Sequence, residues 1–186
     1  LRYFLSRHIP QFKRVLLVES GSRTLLEPLI PGLYQTGGAG TRIDLVTCFG
    51  GAPNALNPDN SVVFRVGDYG GGAGRDKLLR ELMARGYDIM GIICSAEPVM
   101  TKWKWWLAAK IPAKVFILNE NGDYFWLDWS QWRIIIHFVL FRAGLTGPGA
   151  VPALIRLLVF PFTFAYLMGF AAWAHLKRAA RMAAAR

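Results

Sequence analysis

The sequence predicts an α/β protein, an open and mostly parallel sheet finished by an edge hairpin and followed by a C-terminal membrane helix. Three observations carry this. Short, almost uniformly apolar runs recur at residues 15–18, 43–48, 62–66, 89–94 and 115–118, with helical patterns between several of them. Strands look like that when helices cover both faces of a parallel sheet. The pair Asn121-Gly122 stands between VFILNE and DYFWLD, a strong hairpin signal because a type I′ turn needs positive φ at both central residues. Between Arg156 and Lys177 lies LLVFPFTFAYLMGFAAWAHL, free of Asp, Glu, Lys and Arg. At 1.5 Å per residue, such a helix covers about 30 Å of hydrocarbon.

The 186 residues have room for one ordinary domain and an anchor. The expected division is a basic and aromatic N-terminal segment (1–14), the α/β domain (15–128), an interfacial helix and joint (129–150), the anchor (151–176) and a basic tail (177–186). The net charge of +10 is spread from Arg2 to Arg186 without a recognition stripe, so membrane lipid rather than nucleic acid is the expected partner. Lys177, Arg178, Arg181 and Arg186 cluster past the apolar segment, each gaining about 1 kcal/mol near an anionic leaflet. Cys48 and Cys94 read as small buried hydrophobes in a reducing compartment. The opening LRYFLSRHIPQFKR scatters its charges around no apolar centre and does not read as a signal peptide.

In chain order, Pro10 limits any helix in the N-terminal segment. The first strand, 15–18, runs into the loop Glu19-Ser20-Gly21-Ser22-Arg23. A helix over 24–30 follows, with Pro28 in its first turn and Pro31-Gly32 closing it. QTGGAGT, at 35–41, is a flexible connection to the second strand. After the turn-rich FGGAPNALNPDNS and the third strand, GDYGGGAG reads as a loop. Residues 75–85 form an amphipathic helix on Leu78, Leu79, Leu82 and Met83, stopped by Gly86. SAEP opens a Trp-rich helix over 99–110, ended by Pro112. Beyond the hairpin, Asp128 or Ser130 caps a helix over 132–143 whose uncharged interior is too short to cross a bilayer; it lies on the membrane or packs under the domain. Pro161 predicts a kink or a late helix start in the anchor, and Trp173 and His175 join the basic collar at its end. The plainer reading of the anchor is a buried helix of a soluble core.

A sheet of this Rossmann type binds ligands beyond the carboxyl ends of its strands, so the loops starting at Glu19, Phe49, Gly67 and Ser95 are the candidate site. Glu19, Ser20, Gly21, Ser22 and Arg23 offer a carboxylate base, hydroxyls, backbone donors and a cation for a sugar or phosphate; the plainer reading is a tight turn. GDYGGGAGRDK has neither P-loop nor dinucleotide spacing, and reads as a mobile loop from which Asp68 and Arg75 touch ligand on closing. Glu97 sits at a helix N-terminus, where the dipole favours it with or without ligand. Asn119, Glu120, Asn121, Asp123 and Asp128 lie among Tyr124, Phe125, Trp126 and Trp129, the mixture that carbohydrate recognition uses. Lys102 and Lys104 among three Trp residues read as a lipid-facing surface. No His or Cys joins these carboxylates, so no metal is expected. GxSxG, HExxH and CxxC are absent from the sequence.

RVLLVESGSR, RIDLVTC and LLRELMARGYDIMGIIC resemble the N-terminal half of GT-B glycosyltransferases similar to the ADP-heptose:lipopolysaccharide heptosyltransferase family, and PAKVFILNENGDYF resembles the fifth strand and following turn of related bacterial glycan-locus proteins, the match covering about residues 13–128. The resemblance implies a bacterial envelope protein on the cytoplasmic face of the membrane. It would act in lipid-linked or surface glycan synthesis with a nucleotide-sugar donor. Glu19 would deprotonate an acceptor hydroxyl while loops at Asp68, Glu97 and 119–123 orient the sugars. The chain departs from the family in two ways. The family's Gly-Asp pair after the first strand is replaced by Ser22 and Arg23, and a membrane segment stands where the donor-binding second domain begins. An acceptor-side half is one outcome; the alternative is a non-enzymatic membrane subunit or scaffold with a partner protein or further copies of itself.

Overall fold

A computed structural model describes residues 11–38, 40–95, 99–146 and 150–184, and the chain divides into two units, 1–132 and 133–186. The first unit is built on strands β1 (Arg14–Glu19), β2 (Arg42–Thr47), β3 (Val63–Arg65), β4 (Ile89–Cys94), β5 (Lys114–Asn119) and β6 (Tyr124–Trp126). They form one sheet in the order β3-β2-β1-β4-β5-β6, parallel throughout except for β6, which pairs antiparallel with β5. This is the Rossmann order, with its reversal between β1 and β4.

Alternate residues of each strand face opposite sides. On one side Val15, Leu17, Ile43, Leu45, Ile89, Ile93, Phe116 and Leu118 build a core with Leu26, Ile30 and Leu33 of helix α1 (Leu26–Gly37). Helices α2 (Gly71–Arg85) and α3 (Thr101–Lys110) bury Leu78, Leu82 and Leu107.

Helix α1 does not stop at Pro31-Gly32. It follows a 3₁₀ turn at Arg23–Leu25 and continues through Pro31 to Gly37, so the first residues of QTGGAGT are helical. An internal proline costs about 3 kcal/mol. Burying Ile30 and Leu33, one before and one beyond it, returns about 1.5–3 kcal/mol each. The helix ends at Gly38, whose φ of 77° only glycine adopts readily and whose N–H donates to Tyr34 O at 2.9 Å. Similarly, GDYGGGAG is only partly loop, because α2 begins at Gly71. At Gly74 an added Cβ would lie 2.6 Å from the Tyr69 carbonyl carbon, so the chain doubles back there too closely for any side chain. Gly86 stops α2 as expected, with φ 64° and its N–H on Met83 O.

The hairpin exists, but its turn is of another type. Gly122 N donates to Asn119 O at 3.2 Å, Asn119 N donates to Asp123 O at 2.9 Å, and Gly122 has φ 83°. Asn121 does not adopt positive φ, so the loop is a three-residue type I turn closed by a left-handed glycine. Asn119 Oδ1 accepts from the N–H groups of Asn121 and Asp123 at 3.0 and 2.9 Å, which stabilises this longer form. Asp128 does cap the next turn, accepting from Gln131 N at 3.1 Å. Its carboxyl is pushed up by burial but pulled further down by Ser130, Gln131 and Lys114, so it titrates below the usual range. Lys114 Nζ, wholly buried at 3.8 Å from it, is lowered by burial. Cys94 is buried, whereas Cys48, one residue past β2, is exposed where the chain leaves the sheet.

The second unit holds α4 (Trp132–Arg142), which starts at the unit boundary, and α5 (Ala150–Ala184). No residue of α4 is buried. Helix α5 continues through Pro161, so the late start does not occur, and Thr163 Oγ1 donates to Val159 O at 3.1 Å near the proline. Its segment Ile155–Arg178 has 24 residues, a mean hydropathy of 1.7 and none of its apolar window buried. By length and composition it can cross a membrane, since 24 residues rise about 36 Å.

In β4, Gly91 lies opposite Phe116 of β5. A Cβ at this position would sit 2.8 Å from Leu17 Cδ2 and 3.0 Å from Phe116 Cε1. Gly91→Ala is expected to destabilise the first unit by about 1–3 kcal/mol through overpacking, measurable as a lower urea midpoint at unchanged slope.

Candidate functional site

The sheet order reverses between β1 and β4, and a fold of this order places its ligand crevice past the carboxyl ends of those strands. Glu19 ends β1 and is fully buried. Its carboxylate is occupied on both oxygens. Arg23 Nε donates to Oε1 at 2.7 Å and Nη2 to Oε2 at 3.1 Å, a bidentate fork, while Thr47 Oγ1 donates to Oε2 at 2.5 Å. The hydrogen bond to Glu19 raises the Arg23 guanidinium above its ordinary value against the opposing effect of burial. Arg23 Nη1 then reaches Gly50 O at 3.0 Å, and Thr47 Oγ1 accepts from Phe49 N at 2.9 Å. One buried anion thus ties the loop after β1 to the loop after β2. As arranged, Glu19 meets an incoming hydroxyl only if Arg23 first swings away.

Ser20 is buried and its hydroxyl donates to Ile93 O of β4. Gly21 follows at the tightest point of the crevice: an added Cβ would lie 2.9 Å from Ser95 Cβ. Ser22 Oγ and Thr24 Oγ1 are 2.7 Å apart at the rim. Ser95, the first residue after β4, is only 9% exposed, yet its hydroxyl has no hydrogen-bond partner among the described residues. Buried hydroxyls are nearly always paired, and an unpaired one marks a place where a partner is missing. Cys48 also borders these loops, with burial pushing its thiol above the ordinary value.

Of the residues expected from sequence, Glu19, Ser20, Gly21, Ser22 and Arg23 therefore assemble, together with Thr47, Gly50 and Ser95. The others stand apart. Asp68 ends an exposed 3₁₀ turn after β3, and Asn119, Glu120, Asn121 and Asp123 form the hairpin turn after β5. Four strand spacings of about 4.8 Å separate β3 from β5, about 19 Å in all, too far for one sugar ring to touch both. Asn119 and Asp123 are largely occupied with shaping the turn. Asp128 lies at the opposite sheet edge, because antiparallel β6 carries the chain back to the start of β5. Glu97 lies outside the described residues. Lys104 is buried rather than lipid-facing, and Arg75 stacks 5.6 and 5.1 Å from the Trp103 and Trp106 ring centres. Among the described residues no three His, Cys, Asp or Glu side chains converge as metal ligands.

Thr47 was missed in the sequence, and Ser95 was marked only as the start of a candidate loop. The signal was slight: each is a lone hydroxyl at the end of an apolar strand. Beside the crevice, an apolar groove of about 420 Å³ runs along α1, lined by Leu25, Leu29, Phe116, Leu118, Tyr124 and Trp126 among others.

The fold defines a class: a Rossmann-type α/β domain whose strand order reverses between β1 and β4, joined to a long apolar helix. Nothing narrower follows from comparison, since no family model, curated protein or solved structure matches the chain.

Arg23→Ala is expected to cost about 3 kcal/mol by leaving Glu19 buried without its cation. Pairing it with Glu19→Gln should recover much of that loss, which a double-mutant cycle of thermal melts will show.

Proposed function

We propose that this chain is a membrane-anchored, glycosyltransferase-like protein of lipid-linked or surface glycan synthesis, with its α/β domain on the cytoplasmic face. The crevice between β1 and β4 binds the hydroxyl-rich end of the ligand. The observation that carries this reading is the buried, unpartnered Ser95 hydroxyl beside Gly21. A ligand hydroxyl or phosphate oxygen supplies the missing partner, with Ser22 and Thr24 at the rim as further donors. The neighbouring apolar groove begins at Leu25, two residues past Arg23, and offers the hydrocarbon of a lipid-linked acceptor a surface to lie on. Helix α5 holds the domain at the bilayer where such acceptors reside.

In the catalytic form of this reading, donor or acceptor binding draws Arg23 off Glu19, freeing the carboxylate to take a proton from the acceptor hydroxyl. One observation favours the second reading, a non-enzymatic membrane subunit that only binds. Glu19 already has its full set of partners, as a structural carboxylate does.

The test uses full-length protein in lipid nanodiscs, with nucleotide sugars and lipid-linked saccharides as probes and both binding and transfer measured. Ser95→Ala is expected to stabilise the protein by about 1 kcal/mol, by removing an unsatisfied hydroxyl, while weakening ligand binding about tenfold. Absence of binding by every nucleotide sugar and glycan probe would sink the proposal. Transfer lost in Glu19→Gln, with binding retained, selects the enzyme; binding without transfer selects the subunit.

Membrane attachment has its own check. Leu167→Arg, at an exposed position of the apolar segment, is expected to cost insertion about 2.5–3.5 kcal/mol. Alkaline extraction of membranes should then release the variant but retain the parent protein.

A further inference from the structure

At the amino-terminal edge of the sheet, opposite the crevice, a second cavity of about 220 Å³ is bounded by Arg14, Arg42, Asp44, Ala84, Arg85 and Tyr87. Its charge comes from the strand register. β1 and β2 each begin with an arginine, and parallel pairing sets Arg14 beside Arg42, about 4.8 Å apart at their Cα atoms. Arg85 joins them from the last turn of α2.

Only one of these three cations is neutralised inside the cavity. Asp44 Oδ2 lies 3.2 Å from Arg85 Nη1 and accepts from Tyr87 OH at 2.7 Å, while Oδ1 accepts from Val62 N at 2.8 Å. That carboxylate is fully engaged. Asp88, the next nearest, holds the backbone N–H groups of Lys13 and Arg14 at 2.8 and 2.9 Å through one oxygen. Arg14 Nη1 reaches the Arg85 carbonyl at 2.6 Å, a partial charge at the negative end of α2. Arg42 makes no side-chain hydrogen bond or ion pair among the described residues. Two like charges side by side repel, and a cavity between them is where an anion turns repulsion into attraction.

We propose that this cavity is a phosphate site, with Arg42 and Arg14 as its guanidinium forks and Arg85 as the fixed third cation. Guanidinium groups match phosphate oxygens two at a time, with charge-assisted hydrogen bonds. The chain's path names the preferred source. β6 runs back from the hairpin to the edge where β5 begins, and Asp128 meets Lys114 there. The same chain carries a helix long and apolar enough to cross a membrane. The headgroup phosphate of an anionic phospholipid is the ligand at hand.

The test follows the backbone amide signals of Arg14, Arg42 and Arg85 in the full chain, held in nanodiscs. One arm adds inorganic phosphate to neutral phosphatidylcholine discs at constant ionic strength. The other uses discs containing phosphatidylglycerol and no added phosphate. Perturbation of the three signals in the phosphatidylglycerol arm supports the lipid source, and perturbation in the phosphate arm alone supports the same site with a soluble phosphate. Arg42→Gln, which breaks no contact among the described residues, should weaken the effect about tenfold without lowering the melting temperature. Arg65→Gln, an exposed cation at the other end of the sheet, should leave it unchanged. Silence in both arms, or equal weakening by the two variants, overturns the proposal.

Discussion

Strand β1 has no side open to water. Val15, Leu16, Leu17 and Val18 are fully buried, and burial continues through Glu19 and Ser20. Two further strands lie on one side of it and three on the other. A strand in that position must hand its polar ends to partners inside the protein, because water does not reach them. The organisation of the crevice follows from this constraint. Glu19 is charged and buried, so Arg23 and Thr47 must converge on it. In converging they draw together two loops that are far apart in sequence.

The same constraint divides the two sheet edges by chemistry. At the carboxyl edge, Ser22 and Thr24 pair their hydroxyls and the buried Ser95 hydroxyl has no partner among the described residues. At the amino edge, arginines begin β1 and β2, where they face the electronegative end of α2. Hydroxyls around an ion pair gather at one edge, and strand-opening arginines at the other. Glu19 illustrates how a residue type suited to catalysis also suits architecture. A carboxylate at a strand end attracts attention as a base, yet a bidentate guanidinium and a threonine are what a buried structural carboxylate needs.

Where sequence reasoning misplaced elements, burial or local hydrogen bonding had overridden local propensity. Pro31 and Gly32 are poor helix residues, but Ile30 and Leu33 around them pack on the sheet and carry α1 through. The Asn-Gly pair announced a hairpin correctly. The tighter turn lost to a three-residue loop in which the Asn119 side chain binds two backbone N–H groups, a local detail with no periodic signature. The polar residues near the hairpin look like one cluster in the sequence, yet an antiparallel strand separates Asp128 from the turn by its whole length.

The amino-acid sequence by itself determined the class of the sheet, the positions of its six strands to within a residue or two, and a helix apolar and long enough for a bilayer. Those follow from hydrophobic periodicity, which is a property of neighbours along the chain. Strand order, and with it every cross-chain meeting, was decided by the tertiary structure alone. Glu19 with Thr47, Gly21 with Ser95, and Arg14 with Arg42 are brought together by pairing between strands. The free energy for that pairing comes from covering both faces of the sheet at once, which no single stretch of residues encodes.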